Sequence, residues 1–261
     1  MSDTVKNPID ELRAEYAGLI DFLLLDRTTD RNIIWATAEQ SQIPIDKKSL
    51  DMIEPRFIKT KERRFRRTKA RAEVFTPPDV CRLQNDLIVE PWSDHPDQFI
   101  DATFLEIACG EAPYLVSRYN VVDGSTIAID DRIGLLDRKL RIINQSVDDP
   151  IKWFSDARRA YQSIYGYEFQ GDNLLIARAN LLLTARDYFN ARFETDPPFD
   201  IMKTFAEIIS WNLWQFDGIN ETLPFDDNAI GLFNDCRIVD WQHSMIIKFP
   251  SMEPVKQYDE P

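Results

Sequence analysis

Apolar residues recur at helical spacing over residues 8–26, PIDELRAEYAGLIDFLLLD. There Leu12, Tyr16, Leu19, Ile20, Leu23 and Leu24 share one face and Pro8 suits a first turn. The pattern predicts a helix there, a second short helix over 31–41, and a third from near Lys47 that is interrupted at Pro55. From Phe75 the texture changes, and short apolar runs alternate with helical patterns. Residues 103–108, 163–169 and 208–216 read as strands, the second rich in β-formers. Residues 236–241 and 244–249 read as two more, joined by a turn around Gln242-His243. Residues 171–189 are a strongly periodic helix with Asp172 near its start. The intervening 130–145 and 148–161 are also helical in pattern, the latter with Asp148-Asp149 as cap and Pro150 in its first turn. Strands alternating with helices indicate βαβ units and a mostly parallel sheet. The expected organisation is a helical N-terminal arm over 1–71 and an α/β core over 72–261.

The chain has 261 residues, enough for one large α/β domain with a helical appendage. Its 44 acids against 31 bases give a net charge of −13, which taken alone argues against broad affinity for a polyanion. That average hides a local reversal. Residues 56–71, RFIKTKERRFRRTKAR, carry Arg63, Arg64, Arg66, Arg67, Lys69 and Arg71 among other bases, with Glu62 the lone acid. At helical spacing these charges surround most of the axis. They suit a DNA-contacting phosphate stripe, or a solvated helix facing the acidic remainder of the protein.

Cys81, Cys109 and Cys236 form no CxxC pair and the only histidines are His95 and His243, so no zinc site is expected. An odd number of scattered cysteines, no apolar signal core and no apolar run near ~20 residues lead to an expected soluble, cytoplasmic protein. No nucleophile–base set or phosphate loop stands out.

Four segments in a fixed order carry a resemblance. AEVFTPPDVCRLQNDLI (72–88) looks like the FTP-led motif that opens many adenine-specific DNA methyltransferases. FLEIACGEAPYLVSRY (104–119) resembles their first cofactor motif: an apolar strand, an acid-containing turn with Ala-Cys-Gly, then a helix. SIYGYEFQGDNLLIARANLLL (163–183) resembles the second, and ISWNLWQFDGI (209–219) the third. The chain thus resembles the cofactor-binding half of the modification subunit of a restriction–modification system. The resemblance covers most of residues 60–249.

The resemblance implies a Rossmann-like core that binds S-adenosylmethionine. Phe75 and Thr76 would cover its methionine end, with Tyr114 nearby. Glu106, Ala108, Cys109 and Gly110 would form the turn, whose glycine lets the backbone approach the ligand at a helix N-terminus. Glu168 would accept from the ribose hydroxyls and Asp217 from the adenine amino group. Read without the family, Glu168 is a strand-end surface acid and Asp217-Gly218 a turn. The sequence departs from the family at Glu111 and Ala112, where a small residue and a second glycine are usual. Gly110 and Glu168 are separated by far more than the ~20 residues of a direct step, which places a helical insertion at about 120–160.

Enzymes of this family act through an (Asn/Asp/Ser)-Pro-Pro-aromatic loop after the fourth core strand, which holds the flipped base. Asp196-Pro197-Pro198-Phe199 has suitable letters, but it precedes the third strand and follows a polar segment, as a loop between two helices would. The expectation is that the catalytic loop lies beyond this sequence, supplied by a second polypeptide or another copy. The alternative is a non-catalytic relative that binds DNA or a protein.

Overall fold

The protein is described by a computed structural model, which covers residues 5–38, 40–71, 73–74, 76–225 and 236–259. Pro8–Tyr16 form α1, whose first turn is closed by the Asn7 side chain accepting from the Ile9 amide at 3.0 Å. The expected single helix breaks into a 3₁₀ turn over Ala17–Leu19 and a short α2, Ile20–Leu24. Gly18 lies in the break, where a Cβ would sit 3.3 Å from the Phe199 ring.

The described residues of 31–41 do not form a helix. Leu25–Asp26 (β1) and Arg31–Asn32 (β2) pair antiparallel, and the chain continues extended. Tertiary partners override the helical pattern: the Ile33 amide bonds to Leu24, and those of Trp35 and Ala36 to the carbonyls of Ile43 and Ser41. The β-branched pair Ile33-Ile34 suits that extended course. Near Lys47 a 3₁₀ turn, Lys47–Met52, is capped by Asp46.

Helices α3 (Lys61–Arg71), α4 (Pro78–Val89) and α5 (Pro96–Asp101) lead into β3, Phe104–Glu106. The expected insertion is the crossover from β3 to β4. It runs through an irregular stretch, then α6 (Leu135–Ser146) and α7 (Pro150–Gln162). Asp149 caps α7 through the Lys152 amide at 2.8 Å, with Pro150 in the first turn. Then come β4 (Ile164–Glu168), α8 (Gly171–Phe193), α9 (Phe199–Asn212) and β5, Leu213–Gln215. The run 208–216 therefore divides, and only its last part is strand. Short apolar runs do not distinguish a buried helix from a strand by periodicity. Here Ile208, Ile209 and Trp211 are buried on α9, while Asn212 donates to the carbonyls of Tyr161 and Ile164 at the entry to β4.

Strands β3, β4 and β5 form a parallel sheet in that order, with Leu105 beside Tyr165 and Gly166 beside Leu213. A second, antiparallel sheet holds β6 (Cys236–Asp240), β7 (Met245–Phe249) and β8 (Pro254–Gln257). The architecture is mixed α/β. Among the described residues no helix is long and apolar enough to cross a membrane.

The core is organised around α8, which is buried without interruption from Gly171 through Ala185. A helix buried all round must satisfy its polar groups internally. Arg178 does so by donating to the carbonyls of Leu23, Leu25, Ser210 and Leu213, which ties α2, α9 and β5 together. Ile9, Leu12 and Leu23 of the N-terminal helices belong to the same apolar cluster as Leu174 and Leu182. Gly171 is required by close approach, because a Cβ there would lie 2.0 Å from the Ile34 carbonyl oxygen.

Candidate functional site

Strand β3 ends at Glu106 and opens into a loop in which Ala108, Gly110 and Ala112 all take positive φ, at 49°, 57° and 62°. Left-handed backbone is free for glycine but costs alanine on the order of 1 kcal/mol or more. The helix expected after Gly110 does not form. Pro113 has no amide to give, and the chain turns through bonds from the amides of Ala112 to Cys109 and of Leu115 and Val116 to Ala112. Ser117 is then held by Asp137 of α6, whose carboxylate accepts its amide at 2.7 Å. The Gly110 amide thus lies in a strained loop, not at a helix N-terminus.

Thr76, Glu106, Ala108, Cys109, Gly110 and Tyr114 line one cavity of about 340 Å³, together with Val74, Ile107 and Pro113. Two segments that the sequence singled out separately therefore meet. Phe75 lies outside the described residues. The cavity opens at the carboxyl end of a parallel strand, where ligands of open α/β sheets bind.

Glu168 lies at the end of β4 behind that loop and does not line the cavity. Its Oε2 accepts from the Gly110 amide at 2.9 Å and its Oε1 from the Gln170 amide at 3.0 Å. Burial pushes this carboxyl up to about 7 against the opposing amide bonds, with Asp172 and Glu73 adding to the rise. Glu106 is pushed further, to about 8, again by burial and with Glu168 contributing. Its Oε1 accepts weakly from the Tyr114 amide at 3.4 Å, and its Oε2 is sealed from solvent without a protein partner. At neutral pH Glu106 therefore keeps its proton. Burial also raises the Cys109 thiol well above its usual range, so it is not an activated nucleophile.

Asp217 does not join the cavity. Half-exposed beyond β5, it closes its own turn by accepting from the amides of Ile219 at 3.0 Å and Asn220 at 3.1 Å. The departure at Glu111 has a structural cause. Its side chain turns inward, where it accepts from the Arg56 amide at 2.6 Å and the Tyr119 hydroxyl at 2.7 Å.

The basic segment divides in two. Arg67 is not a surface cation. It is buried, its Nε pairs with Glu73, and its Nη1 lies 2.8 Å from Asp172 at the start of α8. Lys59 is buried beside it, 3.4 Å from Asp172. Burial alone would raise Asp172, but Lys59 and Arg67 outweigh it and hold the carboxyl below its usual range. Gln170 and Asn173 complete the network by donating to Glu73 at 3.0 and 3.2 Å. This pins α3 to the core and fixes Glu73, one residue from the cavity wall. Arg66 and Lys69 are exposed, and Arg63 and Arg64 are half-buried, Arg63 pairing with Glu54 at 2.6 Å. The Arg71 side chain lies outside the described residues. Nothing in the local sequence marks Lys59 and Arg67 as inward-facing, because their partners lie far along the chain.

Asp196, Pro197 and Phe199 border a separate groove with Glu11, Glu15, Tyr16 and Arg186. Asp196 accepts from Asn190 at 3.1 Å, and Pro198 precedes the first turn of α9. The segment is a connection between two helices, and its groove shares no residue with the 340 Å³ cavity. Among the described residues no group of His, Cys, Asp and Glu could hold a metal ion.

The polar lining of the 340 Å³ cavity consists of the backbone of the glycine loop, Thr76, Tyr114 and the Glu106 carboxyl, with the Gly110 amide held by Glu168 and the Tyr114 hydroxyl by Gln84. Comparison with family models, with curated proteins and with solved structures returned no match.

Proposed function

We propose that the chain is an S-adenosylmethionine-binding, Rossmann-like modification subunit of the DNA adenine-N6 methyltransferase type, and that a second polypeptide supplies its catalytic loop and target recognition. The observation that carries this reading is the cavity itself. Residues of the FTPP segment and of the Ala-Cys-Gly turn line it jointly, at the end of β3 and in front of Glu168.

The residues at and behind the cavity carry the kinds of group that the methionine and ribose ends of the cofactor would need. The neutral Glu106 carboxyl would accept from the ligand's ammonium only by giving up its proton, and the Gly110 amide and Glu168, which are bonded to each other here, would have to part to serve a carboxylate and a pair of hydroxyls. When bound, S-adenosylmethionine would supply an electrophilic methyl group. The chain's own part is to hold and orient it and to exclude water, since no base stands ready in the cavity. Asp217 is engaged in its own turn and adds nothing to the adenine end. DNA would meet Arg66 and Lys69, flanked by Arg63 and Arg64, on the outer face of α3.

Calorimetry with S-adenosylmethionine and S-adenosylhomocysteine tests the reading, and absence of heat at millimolar ligand refutes it. DNA methylation is expected only once a partner bearing a Pro-Pro-aromatic loop is added. A second reading, a non-catalytic relative that binds a protein, is favoured by the outer face of α4. Val80, Leu83 and Leu87 stand exposed there at i, i+3 and i+7, and Gln84 on the same helix contacts Tyr114 of the cavity. Cofactor binding without methylation in the presence of any such partner would select it.

A further inference from the structure

The Gly110 loop is strained and held shut from behind. Its two left-handed alanines flank Gly110, and three amides hold the shape. Cys109 donates to the Tyr167 carbonyl at 2.8 Å, Ala112 to the Cys109 carbonyl at 2.7 Å, and Gly110 to Glu168 at 2.9 Å. The first two bonds are backbone to backbone. The third alone ends on a side chain, and so it alone can change partner without unravelling strand or turn.

Glu168 is turned away from the cavity in this state. It is 6% exposed, and each oxygen already accepts one amide, Gly110 from the loop and Gln170 from the cap of α8. A ligand in the cavity meets a Gly110 amide that is already bonded, and the oxygen that holds it lies behind the loop. We propose that Glu168 and the Gly110 loop form a self-latched gate, opened by exchange of partners. The ligand's anionic group takes the Gly110 amide, and the released Glu168 oxygen accepts the ligand's hydroxyls. Every hydrogen bond broken is replaced, so the exchange needs no net loss of pairing.

The proposal rests on the reading of the cavity as the site of a ligand carrying both a carboxylate and a vicinal diol. The groups facing Glu168 make the latch sensitive near neutrality. Glu106 approaches from β3, Cys109 from the loop, Asp172 from α8, and Glu73 from the segment after α3. Asp172 and Glu73 are offset by Lys59 and Arg67, but among the described residues no cation pairs with Glu168 itself. An ionised Glu168 holds the Gly110 amide strongly, and a protonated one holds it weakly.

Amide resonances of the full ¹⁵N-labelled chain test this. The Gly110 and Gln170 signals are expected to shift together with a midpoint at about 7, and this shared titration should vanish in Glu168→Gln. If that variant does not fold, Glu168→Asp provides the comparison, because its shorter side chain withdraws from Gly110. Saturating S-adenosylhomocysteine should move the Gly110 signal and abolish its titration. 5′-Methylthioadenosine, which has the diol but no carboxylate, should bind at least about tenfold more weakly and leave Gly110 titrating. A Gly110 signal that ignores pH, or one that still titrates with S-adenosylhomocysteine bound, overturns the gate. Titration in the absence of any ligand-induced shift supports the latch and refutes the cofactor reading instead.

Discussion

Replacing Arg67 by alanine should destabilise the fold more than it weakens any interaction with DNA. Arg67 bridges two buried carboxylates, Glu73 through its Nε and Asp172 through both terminal nitrogens at 2.8 and 2.9 Å. Removing one partner of a buried pair costs about 3–5 kcal/mol, because the other charge stays buried without compensation. Lys59 remains 3.4 Å from Asp172, and the Gln170 and Asn173 amides still serve Glu73, which places the loss near the lower end, about 3 kcal/mol. Against a total of roughly 5–15 kcal/mol this is a large share, and it corresponds to a fall in Tm on the order of 10 °C.

The pH dependence of the loss is diagnostic. Because Asp172 is held below 3.8, its pairing stabilises the fold above that value and is lost as pH falls through the lowered one. The gap between wild type and Arg67→Ala should therefore be full at neutral pH and narrow towards about pH 4 and below. Urea unfolding of both proteins across that range measures it. A deficit under about 1 kcal/mol, or one equal to that of the exposed Arg66→Ala, would refute the structural role and return Arg67 to the phosphate stripe.

Three further outcomes follow from the same geometry. Glu168 rises from 4.5 to about 7 on folding, so its ionisation opposes folding between those values. Wild type should lose about 2–3 kcal/mol relative to Glu168→Gln from about pH 5 to pH 8.5, and parallel stability curves would contradict the burial assigned to it. Gly171→Ala, with its Cβ 2.0 Å from the Ile34 oxygen, should cost about 1–3 kcal/mol or more, whereas Gly18→Ala meets only the yielding Phe199 ring at 3.3 Å and should stay within about 0.5 kcal/mol; equal melting temperatures would discount the close approach. Charge reversal at Arg63, Arg64, Arg66 and Lys69 should abolish DNA affinity whose logarithm falls with log salt at a slope of about −0.9 per phosphate contacted; binding independent of salt would exclude the α3 face.

The sequence by itself determined which segments form the parallel strands β3 and β4, the capped α7, the buried α8 and the hairpin of β6 and β7. In each case local chemistry agrees with the final environment: β-branched and aromatic runs, Asp149-Pro150 at a helix start, a turn at Gln242-His243. Only the resemblance implied that Thr76 and the Ala108–Gly110 turn serve one site; the structure places both in the wall of one cavity.

Only the tertiary structure decided the rest, and always through partners far along the chain. The extended course of 31–35 depends on acceptors at Leu24 and Ile43, and the helical start of 208–216 on a burial surface formed by other helices. Ionic residues look alike in a charge run. Arg67 and Lys59 turn inward only because Asp172 and Glu73 wait there, while Arg66 and Lys69 do not. The Gly110 loop shows the same division. A glycine at the end of a strand is legible in sequence as a place of close approach. That its amide is already taken by Glu168, fifty-eight residues away, is a property of the folded chain alone.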